Sequence, residues 1–391
     1  MLRRYPKSRE VLKRIALTSG YYFNRFFKDE FFTENIENVE FFRIEGHSTF
    51  FGYYDLCPDN SDGLVLANSI NNNTGKKQIC VFSDDCSSPI INLEVEAMNL
   101  QIGLRAQWLD SDLIGFNNLG LDQCSPGYRI FSTSKNKIIH RGQDFLHTAI
   151  SNDMFVSVNP RLIAFHDPHY GYCNHKRVVR DEIEVLKIIN YDGEIVFSVN
   201  KYDLGSNCED FCINHVQVCP EYKTLTFIQR NLNNGKRKDR LWRLNLDDYT
   251  LSPITEWCVI SHYCFESVDR LIIYFSHDRK KFAYHKLNLR NHMATKIKCL
   301  DGYRDGHPSF QNGMFLTDTY ADLAGYQTLY YGNLINESVK PVLRLPHHPK
   351  FYGESRCDLH PRFSFHQDFI YFDTVCLGYR TLARINIDYL H

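Results

Sequence analysis

The chain of 391 residues contains 17 histidines, and several of them recur in matching surroundings. His47, His147, His215, His262, His307 and His360 each stand at or near the start of a short aromatic or β-branched run, and Gln107 occupies the comparable place in a segment without a histidine. Neutral imidazole is a good ligand for a divalent metal and a competent base near neutral pH. Asp358 lies two residues before His360, and residues i and i+2 of a strand share a face. His307, Asp358 and His360 are therefore expected to form a nitrogen and oxygen donor set with open positions, suited to Mn²⁺, Zn²⁺ or a similar ion. A lone buried histidine is ordinarily satisfied by nearby backbone groups. Repetition at matched positions is what argues for chemistry.

Arg105, Arg356 and Arg362 fall close to the same histidines in sequence. A guanidinium can grip a carboxylate with two parallel hydrogen bonds, as recognition of an acidic sugar would require. Arg356, beside Asp358 and His360, is the strongest of the three for that role; a salt bridge within the protein is the plainer reading of each taken singly. A second group, His166, His169, Cys173 and His175, has ligand-like spacing but lies in the loop-like stretch FHDPHYGYCNH, and reads as a loop or channel-mouth surface. No phosphate-binding glycine loop, nucleophile elbow or HExxH helix occurs in a supporting context.

The histidines must be positioned by a repeat. From Val39 onward, short β-runs are punctuated by Asn, Asp, Gly and Ser. Seven diverged copies align: GHSTFFGYYDLCPDNSDGLVLA from Gly46, RAQWLDSDLIGFNN from Arg105, HTAISNDMFVSVNPRLIAF from His147, NHVQVCPEYKTLTFIQR from Asn214, SHYCFESVDRLIIYFS from Ser261, GHPSFQNGMFLTDTY from Gly306 and LHPRFSFHQDFIYFDTV from Leu359. The later marked histidines are 47, 45 and 53 residues apart, close to one four-stranded blade each, while the earlier spacings of 60, 40 and 68 are less even. These units predict an all-β fold, a seven-bladed β-propeller spanning residues 39–391, with one ring residue per blade facing a central channel. Polar stretches such as 71–77 and 231–238 suit turns or insertions. The run VEFFRI at 39–44 is expected to pair with the last repeat and close the ring, which removes an exposed sheet edge.

Residues 1–38 differ. Arg3, Arg4, Lys7, Arg9, Lys13 and Arg14 alternate with Leu2, Val11, Leu12, Ile15 and Leu17 at helical spacing, and an aromatic stretch follows. This predicts a basic amphipathic helix, either packed on the propeller rim or in peripheral contact with a membrane through residues 1–30. The formal charge of −1 speaks against a broad nucleic-acid footprint. Thirteen cysteines without a CxxC pair suggest free thiols in a reducing compartment. Together with the lack of a secretory pattern and of a long apolar run, this leads to the expectation of a cytoplasmic protein.

The segments FFGYYDLCPDNSDG, LRAQWL, INHVQV, SHYCF, DGHPSF, LTDTY and CDLHPRFS resemble an oligogalacturonate lyase-like (TolB-like) propeller family, in the branch associated with bacterial surface-polysaccharide genes. The resemblance spans about residues 46–385. It implies a seven-bladed propeller with Mn²⁺ held in the channel by His and Gln side chains, and β-elimination at a uronic acid. His307 in GHPSF and His360 in LHPRF match the family's metal ligands. Asp358 stands where the family has a second His, and the preceding Gln has no counterpart here.

These features lead to a lyase-like reading on an acidic oligosaccharide or polysaccharide. His307, Asp358 and His360 would hold the metal, His215 or His262 would act as base and Arg356 as carboxylate clamp. Arg105, Gln107, Arg362 and His47 would bind substrate. The alternatives are a non-catalytic scaffold or glycan-binding propeller, and a glycoside hydrolase using carboxylates among Asp55, Asp318, Asp358 and Asp373.

Overall fold

The computed structural model describes residues 6–27, 36–120, 126–151, 153–159, 183–205, 211–219, 221, 223–233 and 236–390. The group His166, His169, Cys173 and His175 lies outside the described residues. Among those described, seven four-stranded sheets form, all of their pairings antiparallel. They are the blades of a propeller: residues 47–95, 107–141, 146–200, 211–253, 259–296, 309–346 and 362–386, here blades 1 to 7.

Burial explains the composition of the strands. In blade 1 the middle strands Val65–Asn71 and Lys77–Phe82 are almost continuously buried, whereas the outermost strand Pro89–Val95 alternates between half-buried and exposed. Middle strands are covered on both faces by neighbouring blades, so they read as apolar runs rather than as alternation. The ten described cysteines are free, most of them buried as small apolar side chains.

The ring closes through the chain's two ends. Strand β1 (Val39–Phe42) pairs antiparallel with the strand Thr381–Asn386, Val39 opposite Ile385 and Phe42 opposite Leu382. The expected closing strand is thus realised over four of its six residues. Phe42 is fully buried, with ring centroids 5.3 Å from Phe82 of blade 1 and 6.0 Å from Tyr371 of blade 7. Arg384 bonds Glu40 at 2.6 Å and Asp84 at 2.7 Å, so one guanidinium ties β1, blade 7 and blade 1 together.

The helix α1 (Pro6–Phe27) rests on the channel-mouth rim, against the loops around 321–325 and 347–352. Tyr21 is buried, its ring 5.0 Å from that of His348. Gly20 approaches the loop so closely that a Cβ there would stand 1.7 Å from the Leu323 carbonyl oxygen. No described helix is long and apolar enough to cross a membrane.

Closure by β1 has a measurable consequence. Phe42→Ala should destabilise the protein by about 3–5 kcal/mol, the usual cost of emptying a buried aromatic site. Chemical denaturation measures it, and a loss under about 1 kcal/mol would show that closure does not depend on this side chain.

Candidate active site

In six of the seven blades the ring position is marked by a backbone irregularity on or beside the innermost strand. The register slips between Leu146 and Thr148, between Asn214 and Gln217, and between Ile260 and Tyr263, around His147, His215 and His262. Arg105, His215 and His360 have φ of 52°, 49° and 46°, the left-handed region that non-glycine residues rarely enter. Gly52, with φ of 119°, occupies the corresponding place in blade 1, where a Cβ would stand 2.7 Å from the Ile102 carbonyl carbon.

Cross-blade hydrogen bonds confirm the equivalence. Asn68 accepts from the Leu104 N–H, Asn117 from that of Leu146, Asp318 from that of His360, and Asp373 from those of Phe51 and Gly52. Each second-strand Asn or Asp thereby fixes the ring segment of the next blade. The ring is Gly52, Arg105, His147, His215, His262, His307 and His360.

This corrects two sequence expectations. His47 lies five residues before Gly52, its ring fixed by Ser69 (2.8 Å) and Asn71 (3.0 Å). Gln107 lies two residues past Arg105 and bridges blades 2 and 3, donating to the Arg105 carbonyl and accepting from the Ala149 N–H at 2.7 Å. The arginines divide likewise. Arg105 makes a buried two-pronged ion pair with Asp55 (2.6 and 3.0 Å) and donates to the His147 carbonyl. Arg362 is 2 % exposed; it donates to the Gly52 and Tyr53 carbonyls and lies 3.4 Å from Asp373. Of these four residues, expected at the substrate, Gln107, Arg105 and Arg362 join blades to one another, and His47 ties two strands within blade 1.

Four of the five ring histidines converge. Ring centroids are 5.0 Å apart for His215 and His262, 4.5 Å for His262 and His307, and 4.3 Å for His307 and His360. Tyr53 and Tyr54, which the glycine at 52 allows into the axis, pack against them: Tyr53 lies 5.0 Å from His360 and Tyr54 5.4 Å from His307. The Tyr53 hydroxyl is 3.1 Å from His215 Nδ1, and that of Tyr54 donates to the Tyr263 carbonyl at 2.9 Å.

Carboxylates orient two of the rings. Asp318, fully buried, contacts His307 Nδ1 at 2.9 and 3.0 Å and accepts from the His307 N–H at 2.8 Å. Asp305 contacts His262 Nδ1 at 2.9 Å and accepts from Ser261 at 2.6 Å. Burial opposes charge on His307, but Asp318 outweighs it, so the pKa of His307 is raised. Burial lowers the pKa of His262, partly against Asp305. Burial also lowers those of His215 and His360, reinforced by neighbouring imidazoles and arginines.

His307, Asp358 and His360 offer ligand atoms that all lie within 4.8 Å of one another, all three residues buried. Asp358 Oδ2 is buried without a hydrogen bond; Arg356 Nε approaches it to 2.8 Å as an ion pair, but outside hydrogen-bond alignment. An under-satisfied buried carboxylate beside two imidazoles, one already held through Nδ1 by Asp318, is a fitting donor set for a divalent ion. The Arg356 side chain is 39 % exposed, and its guanidinium lies 5.4 Å from the Tyr320 ring. It lines, with Asp358, Tyr320, His347, Tyr352 and residues of α1, a cavity open to solvent at the channel mouth.

In sequence, no family model and no curated protein matches the chain. Solved structures do match in fold. An oligogalacturonate lyase in complex with manganese superposes with a TM-score of 0.56 at 12 % identity, over 89 % of this chain and 92 % of that one. The likeness is one of fold, a seven-bladed propeller. The oligogalacturonate lyase of Vibrio parahaemolyticus gives 0.58 at 11 % identity, over 92 % and 96 %. The β-propeller domain of the Trilobed protease from Pyrococcus furiosus, described as having an open velcro topology, gives 0.52 at 10 % identity, over 86 % and 96 %. The propeller described here is instead closed by β1.

Several site residues were not legible beforehand. Asp318 stands in the sequence only as a candidate hydrolytic carboxylate and Asp305 not at all, although both lie close to His307, in LTDTY and DGHPSF. Tyr53 and Tyr54 carried no signal beyond composition. Arg230 and Arg237 sit on strands Thr224–Asn233 and Lys236–Asn245, a long hairpin where the polar run 231–238 reads as a surface turn. Both are held by buried Asp239, at 3.0 and 2.7 Å, and disfavour protonation of His215.

The carboxylate that orients His307 should matter to any metal held there. Asp318→Asn should weaken Mn²⁺ binding about 10–100-fold, as loss of an outer carboxylate partner does elsewhere. Titration calorimetry measures it, with circular dichroism to verify folding; unchanged affinity would exclude His307 as a ligand.

Proposed function

We propose that this propeller is a lyase-like enzyme that cleaves an acidic, uronic acid-containing glycan by metal-assisted β-elimination at the channel mouth. The observation that carries the reading is the donor set of His307, Asp358 and His360, with Arg356 beside it and the carboxylate-held His262 next to His307. The two lyases of similar fold, one of them in complex with manganese, lend support.

Each group then has a task. His307, Asp358 and His360 would hold the divalent ion, with manganese the first to test. Bound there, the ion supplies Lewis-acid stabilisation of negative charge developing at the uronate carboxylate. Arg356 grips that carboxylate and orients the sugar. His262, kept neutral by burial and with Nδ1 held by Asp305, accepts the C5 proton at Nε2. The C5–H electrons form the C4–C5 double bond, the C4–O bond breaks, and the departing oxygen takes a proton from the Tyr53–His215 pair.

Hydrolysis by paired carboxylates is poorly supported. Asp55 is bound by Arg105, Asp318 by His307 and the His360 N–H, and Asp373 by the Phe51 and Gly52 N–H groups. Asp358 is the remaining one of the four and has no second acid opposite it among them.

The test is incubation of uronic acid-containing polymers with the protein and Mn²⁺, following the near-ultraviolet absorbance of an unsaturated product. His262→Ala should lower kcat about 10²–10⁴-fold, the range for loss of a general base. His307→Ala and His360→Ala should abolish the dependence on the ion. Arg356→Lys should reduce kcat/KM, because an ammonium cannot reproduce a planar two-pronged grip. New reducing ends without absorbance would mean hydrolysis, and binding without turnover would mean a glycan-binding scaffold.

A further inference from the structure

The helix α1 has two apolar sides, and the propeller covers one. Leu17, Gly20 and Tyr21 face the rim. Val11, Leu12, Ile15, Tyr22, Phe23 and Phe26 are each at least half exposed, Phe26 by 81 %. At about 100° per residue these six fall within an arc of roughly 120°, opposite the docked side. Six large apolar side chains on one face exceed the scattered exposure that a soluble surface normally shows.

Charge indicates what covers this arc. The helix carries Lys7, Arg9, Lys13, Arg14 and Arg25 against the single acidic residue Glu10, while the whole chain is at −1. A basic helix with an apolar, aromatic-rich arc matches the plane of an anionic bilayer, where the arc enters the headgroup and acyl boundary and the cations meet lipid phosphates. A second copy of the chain would cover the apolar arc but would bring two basic helices against each other.

We propose that α1 docks this protein on an anionic lipid bilayer through Val11, Leu12, Ile15, Tyr22, Phe23 and Phe26. The tight packing at Gly20 and Tyr21 makes the helix part of the rim, so docking orients the whole propeller. Arg14 and Leu17 of the same helix line the cavity that reaches Asp358, which places the channel mouth beside the membrane surface. The inference does not depend on the reaction proposed above.

The full-length protein is sedimented with vesicles of phosphatidylcholine alone and of phosphatidylcholine with phosphatidylglycerol. Binding is expected to the anionic vesicles, to weaken on raising the salt, and to fall at least ~tenfold in the Ile15→Ser/Phe23→Ser/Phe26→Ser variant. Because these side chains face outward, the variant should keep the thermal transition and elution volume of the parent. No binding to anionic vesicles overturns the proposal, as does equal binding by the variant. A dimer that the variant converts to a monomer, without vesicle binding, would assign the arc to a second copy of the chain and overturn it too.

Discussion

One buried carboxylate governs the geometry of the site. Asp318 accepts from the N–H groups of His307 and His360 and holds the imidazole of His307 through Nδ1. A buried charge is costly unless hydrogen bonds compensate it. Here the compensating donors are the two ring segments that carry the imidazoles of His307 and His360. The requirement to satisfy Asp318 therefore sets how blades 6 and 7 lie against each other at the channel. The cost of burying the charge and the positioning of the two imidazoles are one arrangement.

The same device recurs around the ring with different side chains. Asn68, Asn117 and Asp373 each bond the backbone of the following blade, and Asp373 does so across the junction that β1 closes. An innermost strand that enters a left-handed turn at Arg105, His215 or His360 gives up regular ladder bonds there. The cross-blade Asn or Asp side chains supply part of what the ladder loses. The left-handed turn in return points the ring residue at the axis rather than along the strand. Strain at the channel and satisfaction between blades are coupled for this reason.

The fold was largely legible because a propeller repeats: turn residues and apolar runs recur, and the closing strand betrays itself as a run without a partner nearby. The histidines at 215, 262, 307 and 360 were legible through the same recurrence. His47 misled because it begins the first aromatic run, whereas the ring position there is Gly52, which has no side chain to be noticed. Gln107 misled because counting along a strand assumes alternation, and the irregularity at Arg105 shifts the register. Arg105 and Arg362 illustrate a deeper limit. A guanidinium near a channel looks alike in sequence whether a ligand or an interior carboxylate holds it, and only the positions of Asp55 and Asp373 decide.

The departures from the repeat turn a symmetric ring into a site. Symmetry alone would bring seven like groups to the axis, and like groups can neither orient one another nor divide roles between acid, base and ligand. In blade 1 a glycine admits Tyr53 and Tyr54, whose phenols reach His215 and the Tyr263 carbonyl on the far side. In blade 2 an arginine neutralised by Asp55 closes its side of the ring next to His147. Blades 4 to 7, like blade 3, keep the histidine, and they differ in what touches it: a phenol at His215, Asp305 at His262, Asp318 at His307, and the neighbouring Asp358 donor at His360. Four identical side chains thus meet four different electrostatic surroundings within a few ångströms. Separating the protonation preferences of neighbouring groups in this way is the physical condition for acid, base and ligand roles to coexist in one channel.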